Sequence, residues 1–484
     1  MSGAKRALAM VLALVCWGTL EGRALCAPPG NGPQDMSALE RIRDAAMASD
    51  WAWEQLSELT DRIGPRPDGS PQLEAAIAHL AAVLRGAGAQ VRLQPVKIPH
   101  WVRGAEQASI VSYPGRPQGT AQAMQVTALG TSAATPPDGL TATVVVVADM
   151  DELARRADEV PGSIVVFSTR FDQRLADNGQ PSEAYLQSGR YRFGGPSAAA
   201  KLGAAAALVR SVGGAQFRLP HTGVTLWEAG QAPIPAGALA AEDADLLARL
   251  AAKGTVRVHL QLQPQTLADA QSANVIADWP GRERPGEFVI VSGHVDSWDL
   301  GTGAIDNGAG VASAAAVIEL MRKLDLHPRR TIRFIGWTDE EISGRGALAY
   351  VESLRGAYDT HAAVVESDQG AGRSLGIRAA VAKESMAGLQ VVARALAPIG
   401  ATIVARQDDV VGADIGGLQE AGVPAFAPLL DQRRYFDYHH TAADTLDKVD
   451  PQDLRSQVAT LAVLAYFLAE MPQALQRFPV AEQH

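Results

Sequence analysis

From residue 288 onward the chain alternates short apolar runs with longer helical patterns, and this order constrains the fold more than any other feature. The runs are "FVIV" (288–291), "TIRFIGW" (331–337), "AAVVE" (362–366) and "VPAFAPL" (423–429). Between or after them lie "VASAAAVIELMRKL" (311–324), "GALAYVESL" (346–354) and "SMAGLQVVARALAPIG" (385–400). A last helix opens at Pro451, whose fixed φ suits the first helical position. Short apolar runs without polar alternation read as strands covered on both faces. Strands alternating with helices predict an α/β fold, with a mostly parallel central sheet flanked by helices.

Upstream, 36–63 has Trp51, Trp53, Leu56 and Leu59 spaced for one buried helical face. A Gly/Pro loop at 64–71 leads to a helix over 72–88 and a strand over 89–98. The pattern then changes. Short strands at 141–150 and 162–168, one alanine-rich helix at 196–212 and a strand at 255–263 are separated by Pro and Gly. This predicts an α+β insert over 116–267, interrupting a catalytic unit made of 27–115 and 268–484. The insert offers no obvious cluster of catalytic side chains.

The N-terminus reads as a secretory signal peptide over 1–26: Lys5 and Arg6, an apolar run from Ala7 to Trp17, then small residues around Ala24–Ala27. The run is short for a membrane span. Arg23 and Leu25 do not suit lipid attachment at Cys26. Cys16 and Cys26 are the only cysteines, so the mature chain has no disulfide. Net charge is −10 with no basic stripe, which argues against nucleic acid or an anionic membrane as partner. After cleavage no stable membrane insertion is expected.

In open α/β sheets, ligands bind beyond the carboxyl ends of the strands. Here the first run leads to His294, Asp296 and Asp306. The second leads to Asp339, Glu340 and Glu341, the third to Glu366 and Asp368, and the fourth to "DQRRYFDYHHTAADT" with His439 and His440. Alone, each is ordinary: an Asp-Asn-Gly turn, an acidic helix start, a surface histidine pair. Together they place carboxylates and imidazoles on one sheet edge, where carboxylates without a cation would repel one another. A divalent metal pair removes that cost. Mixed His and carboxylate donors suit zinc and also accommodate manganese or cobalt.

Competing motifs are weaker. "GTGAIDNGAG" lacks the Gly-Lys-Ser/Thr ending of a phosphate loop and does not match G-x-G-x-x-G. "GRSLG" around Ser374 matches G-x-S-x-G but has no strand before it and no helix after it. There is no H-E-x-x-H.

The stretches "SGHVDSWDLGTGAIDNGAG", "WTDEEISGRGA", "VVESDQGAG" and "YHHTAADT" resemble the co-catalytic dizinc exopeptidase family, and within it the carboxypeptidase Q subgroup. The likeness runs from the helices near 36 to the C-terminal helix, and the insert resembles a protease-associated domain. The resemblance implies two zinc ions. Asp306 would bridge them, His294 and Asp368 would complete one site, and Glu341 and His440 the other. Glu340 would be the general base and Asp296 would orient His294. A cis peptide after Asp306, a homodimer and short peptide substrates are also implied. Tyr435 or Tyr438 is a candidate oxyanion donor, and Arg433 or Arg434 a candidate for a substrate carboxylate. Aminopeptidase, carboxypeptidase and dipeptidase activities all occur in the family. A non-catalytic peptide-binding protein on the same fold is the reading from another class, and a glutaminyl cyclase fits the two-metal set and insert less well.

Overall fold

The computed structural model describes residues 36–478; the expected signal peptide, 1–26, lies outside them. Two eight-stranded sheets organise the chain. The first runs Gln90–Val102, Gln265–Trp279, Arg330–Trp337, Arg284–His294, His361–Glu366, Ala425–Leu430, Ser374–Ala380, Ile403–Arg406. Its four central strands are parallel, and antiparallel pairings flank them. The central runs are apolar on both faces because helices cover both. Ala309–Lys323, downstream of the strand Arg284–His294, is buried on nearly every side, as is Pro451–Glu470. The stretch Ala304–Lys323 is apolar and long enough to cross a membrane, yet it lies inside the core. Asp450 caps Pro451–Glu470, accepting from Gln452 N and Asp453 N, and Ser70 caps Pro71–Gly86 through Leu73 N.

The predicted helix over 36–63 is two pieces. Met36–Met47 ends before Asp50, and Trp51–Ser57 continues as a wider turn to Ile63. Leu56 and Leu59 are fully buried, whereas Trp51 and Trp53 are only partly so.

The second sheet has the order Gln122–Met124, Glu106–Ser112, Arg257–Leu262, Leu140–Val147, Ile164–Phe167, Ala206–Arg210, Ala236–Leu239, Val126–Ala128. Glu106–Ser112 thus pairs in this sheet although it precedes residue 116. The expected helix over 196–212 is corrected: helix Pro181–Lys201 ends, Gly203 turns at φ +80°, and Ala206–Arg210 is a buried central strand. Alanine favours a helix, but a slot between two strands overrides that preference. The chain leaves the first sheet after Val102 and returns through Leu262 to Gln265. At this crossing a Cβ on residue 104 would sit 1.8 Å from the carbonyl oxygen of Gln263, so only glycine fits.

Candidate metal centre

Strand Arg284–His294 delivers His294 fully buried at its carboxyl end. The ring's Nδ1 lies 3.1 Å from the backbone carbonyl of Asp296, which fixes Nε2 as the outward atom. The Asp296 carboxylate is 3.8 Å from that Nδ1 and accepts instead from the backbone N–H of Glu341, at 3.1 Å. Asp296 therefore touches His294 through its carbonyl and holds the Glu341 backbone through its side chain.

Asp306 is placed by Asp444, whose carboxylate accepts from Ile305 N at 2.7 Å and Asp306 N at 3.2 Å. The Asp306–Asn307 peptide is cis. The glycine-rich chain is further clamped by Arg66, fully buried, which donates to the carbonyls of Val295, Thr302 and Gly303 at 2.6–2.9 Å. A Cβ on Gly310 would fall 2.0 Å from both Asn307 Oδ1 and the Ser367 carbonyl, so the helix start can pack here only without a side chain. After strand Arg330–Trp337, Asp339 takes a left-handed φ of +63° and accepts from Ser343 N and Arg345 N, each at 3.0 Å. That turn separates the directions of Glu340 and Glu341. Glu366 is not in the cluster; it accepts from Asp414 N and Ile415 N.

Three groups of possible metal donors lie among the described residues, and two of them share Asp306. In one, His294 Nε2 lies 3.2 Å from Asp306 Oδ1 and 3.1 Å from Asp368 Oδ1. In the other, His440 Nε2 lies 3.1 Å from Asp306 Oδ2 and 3.0 Å from Glu341 Oε2. All of these except Asp368 are nearly inaccessible. Glu340 is in neither group.

The electrostatics reflect this crowding. Burial would raise the Asp306 carboxyl, but His439, His294 and His440 hold it well below the usual carboxylate range. Burial would lower His440, yet Glu341 and Asp306 push it up to about 9. Burial drives Glu340 well up against the pull of His294, reinforced by Asp368, Glu341 and Asp414. Asp306 Oδ2 and Glu341 Oε1 are buried without a hydrogen-bond partner. Imidazole nitrogens and carboxylate oxygens that converge on a shared aspartate, with buried acceptors left over, are a donor set that fits divalent metal.

Residues from the unit built on the second sheet, where the sequence shows no cluster of catalytic side chains, also reach the site. His221, on the loop after Ala206–Arg210, lies with its Nε2 3.1 Å from His439 Nδ1. Arg192, on helix Pro181–Lys201, donates to Tyr185 Oη at 2.6 Å and the Thr222 carbonyl at 3.2 Å, beside His440. Tyr185 stacks on Phe436 at 4.4 Å. No local signal marks Arg192 or His221, because the histidines they meet, His440 and His439, are more than 200 positions away in sequence.

Other candidates resolve as follows. Ser374 starts a strand, fully buried, with Oγ bonded to Thr460 Oγ1 at 2.7 Å, so it is no nucleophile. Arg433 and Arg434 are exposed and paired with Asp431 and Asp437. Tyr438 Oη accepts from Arg434 at 3.1 Å, while Tyr435 packs edge-on against His439. A cleft of about 630 Å³ is lined by Ile305, Gln369, Tyr435, Arg373 and Lys448, among others.

A model of peptidase family M28 matches residues 274–465. Carboxypeptidase Q of Bos taurus is 36% identical over 466 residues, covering 93% of this chain and 95% of the relative. The crystal structure of a peptidase M28 precursor from Shewanella amazonensis superposes with a TM-score of 0.85 at 34% identity, covering 92% of this chain and 98% of that one. A zinc aminopeptidase from Bacillus subtilis shares the fold, with a TM-score of 0.62 at 19% identity and coverage of 88% and 98%.

Proposed function

The chain belongs to peptidase family M28 and is a metallopeptidase, and on that premise we propose that it is a secreted dizinc exopeptidase acting on short peptides or dipeptides from the carboxyl end. The observation that carries this reading is the pair of donor groups sharing Asp306, with Glu340 outside both. His294 and Asp368 would hold one ion, Glu341 and His440 the other, and Asp306 would bridge them. When bound, the metal pair supplies a water acidified toward neutrality and an electrophilic hold on the scissile carbonyl.

The protein's own groups do the rest. Glu340, driven up in pKa by its buried surroundings, accepts the proton of the attacking water and returns it to the departing amine as the C–N bond breaks. Asp444 and Arg66 keep Asp306 and its loop in place throughout. Carboxyl-end specificity is supported by the carboxypeptidase Q relatives. Secretion is supported by the pattern of residues 1–26.

The test is hydrolysis of a free, an N-blocked and a C-blocked dipeptide, with and without chelator. The proposal predicts chelator-sensitive cleavage of the free and N-blocked peptides and none of the C-blocked one. Cleavage of the C-blocked peptide alongside a resistant N-blocked one would make the enzyme an aminopeptidase and overturn the carboxyl-end reading.

A further inference from the structure

His439 and His440 lie face to face, ring centroids 3.6 Å apart and planes 13° apart. Consecutive side chains align this way because His440 has a left-handed backbone, φ +57°, which a non-glycine residue adopts only when its surroundings enforce it. Both Nε2 atoms then reach the same oxygen, Asp306 Oδ2, at 3.2 Å and 3.1 Å.

The second nitrogen of each ring decides what its Nε2 can do. Nδ1 of His440 lies 3.3 Å from both the Thr222 carbonyl, an acceptor, and Nη1 of Arg192, a donor; with its proton on Nδ1, toward the carbonyl, Nε2 bears the lone pair that a metal would take. His221, His439 and His440 could by spacing hold an ion among themselves. The Arg192 guanidinium, 3.3 Å from His440 Nδ1, puts a cation there already and bars another.

His439 differs. Its Nδ1 faces Nε2 of His221, and imidazole can donate or accept. A proton on Nδ1 of His439 would set its bare Nε2 against a carboxylate oxygen. It would also leave an N–H on His221 Nδ1, which is buried without a partner. A buried N–H without an acceptor is rarer than a buried lone pair without a donor. The order is therefore His221 Nε2–H to His439 Nδ1, which leaves an N–H on His439 Nε2. Among the described residues that N–H has no hydrogen-bonded acceptor; Asp306 Oδ2 is close but not hydrogen-bonded. It flanks Asp306 on the His440 side.

We propose that His439 donates its Nε2–H to the scissile carbonyl oxygen as that oxygen gains negative charge, with His221 of the insert as the positioning residue that fixes the tautomer. This rests on the hydrolytic reading above. It makes the second sheet's unit part of the catalytic centre and assigns the oxyanion role to neither tyrosine.

The experiment compares the metal-loaded wild type with His439→Phe, His221→Phe and His221→Gln. His439→Phe keeps the stack and should lower kcat by about 100-fold or more, as loss of one oxyanion donor does. KM, and metal affinity by chelator competition, should stay within about threefold of wild type, while a phosphonate dipeptide analogue binds more weakly. His221→Phe should lower kcat by roughly tenfold, and His221→Gln, which keeps an N–H donor, should restore most of it. Nitrogen-15 spectra of labelled histidine should show His439 protonated on Nε2. A His439→Phe enzyme with kcat within threefold of wild type would overturn the proposal, as would parallel loss of metal or a proton on His439 Nδ1. Those results leave wild-type hydrolysis and metal content intact. A wild type with neither would instead overturn the hydrolytic reading itself.

Discussion

Asp444 shows how one side chain sets the geometry of another. Its two carboxylate oxygens take the N–H groups of Ile305 and Asp306, and so aim the carboxylate shared by both donor groups. An amide in its place can accept with only one atom. Asp444→Asn should therefore weaken metal affinity by roughly 10–100-fold while the fold persists, read by chelator competition. His361 makes a separate prediction. Burial, then Arg333 and Arg477, lower its pKa to about 4, so the folded chain keeps it neutral. Unfolded, it would titrate near 6.5. The unfolded chain thus takes up this proton first as pH falls, and stability is lost between about pH 6.5 and 4, by up to about 3 kcal/mol. Denaturant titrations across that window should show a shallower loss in His361→Gln. The residues of the two donor groups that share Asp306 were legible in sequence because each lies downstream of a strand. Arg66 was not, because a buried arginine in a Gly/Pro loop looks like any solvated one until Val295, Thr302 and Gly303 fold onto it.

Among the elements, alternation of apolar runs and helical patterns located the central sheet, since the period of burial is a local property. The alanine run at 196–212 carries a helical signal throughout, whereas its strand, Ala206–Arg210, is defined by neighbours that arrive from Ile164–Phe167 and Ala236–Leu239. The long strand Gln265–Trp279, exposed along its first half and buried along its second, pairs with Gln90–Val102 along nearly its whole length but with Arg330–Trp337 only over Val275–Trp279. The two linking segments touch at Gly104. Gly104→Ala must push the Gln263 carbonyl away from a 1.8 Å approach, and should destabilise by about 1–3 kcal/mol. Because His221 and Arg192 reach the metal centre from beyond that crossing, kcat should fall as well. Denaturation and steady-state kinetics on the same variant check both effects.

On the scale of the whole molecule, the second unit is tied to the catalytic edge. Its loop meets the histidine segment through Gly214 N to Phe436 O at 2.8 Å and Thr222 N to His440 O at 2.9 Å. The donor groups that share Asp306 thus lie where the carboxyl edge of one sheet meets a loop from the other. The central claim is that this edge holds two ions around Asp306 with Glu340 as the base outside both groups. The most direct measurement is metal content and turnover of Glu340→Gln beside wild type. The account predicts two metals per chain in both proteins, and turnover reduced by about 100-fold or more in the variant. One metal or none in the wild type, or a variant that keeps turnover within about tenfold, would contradict it.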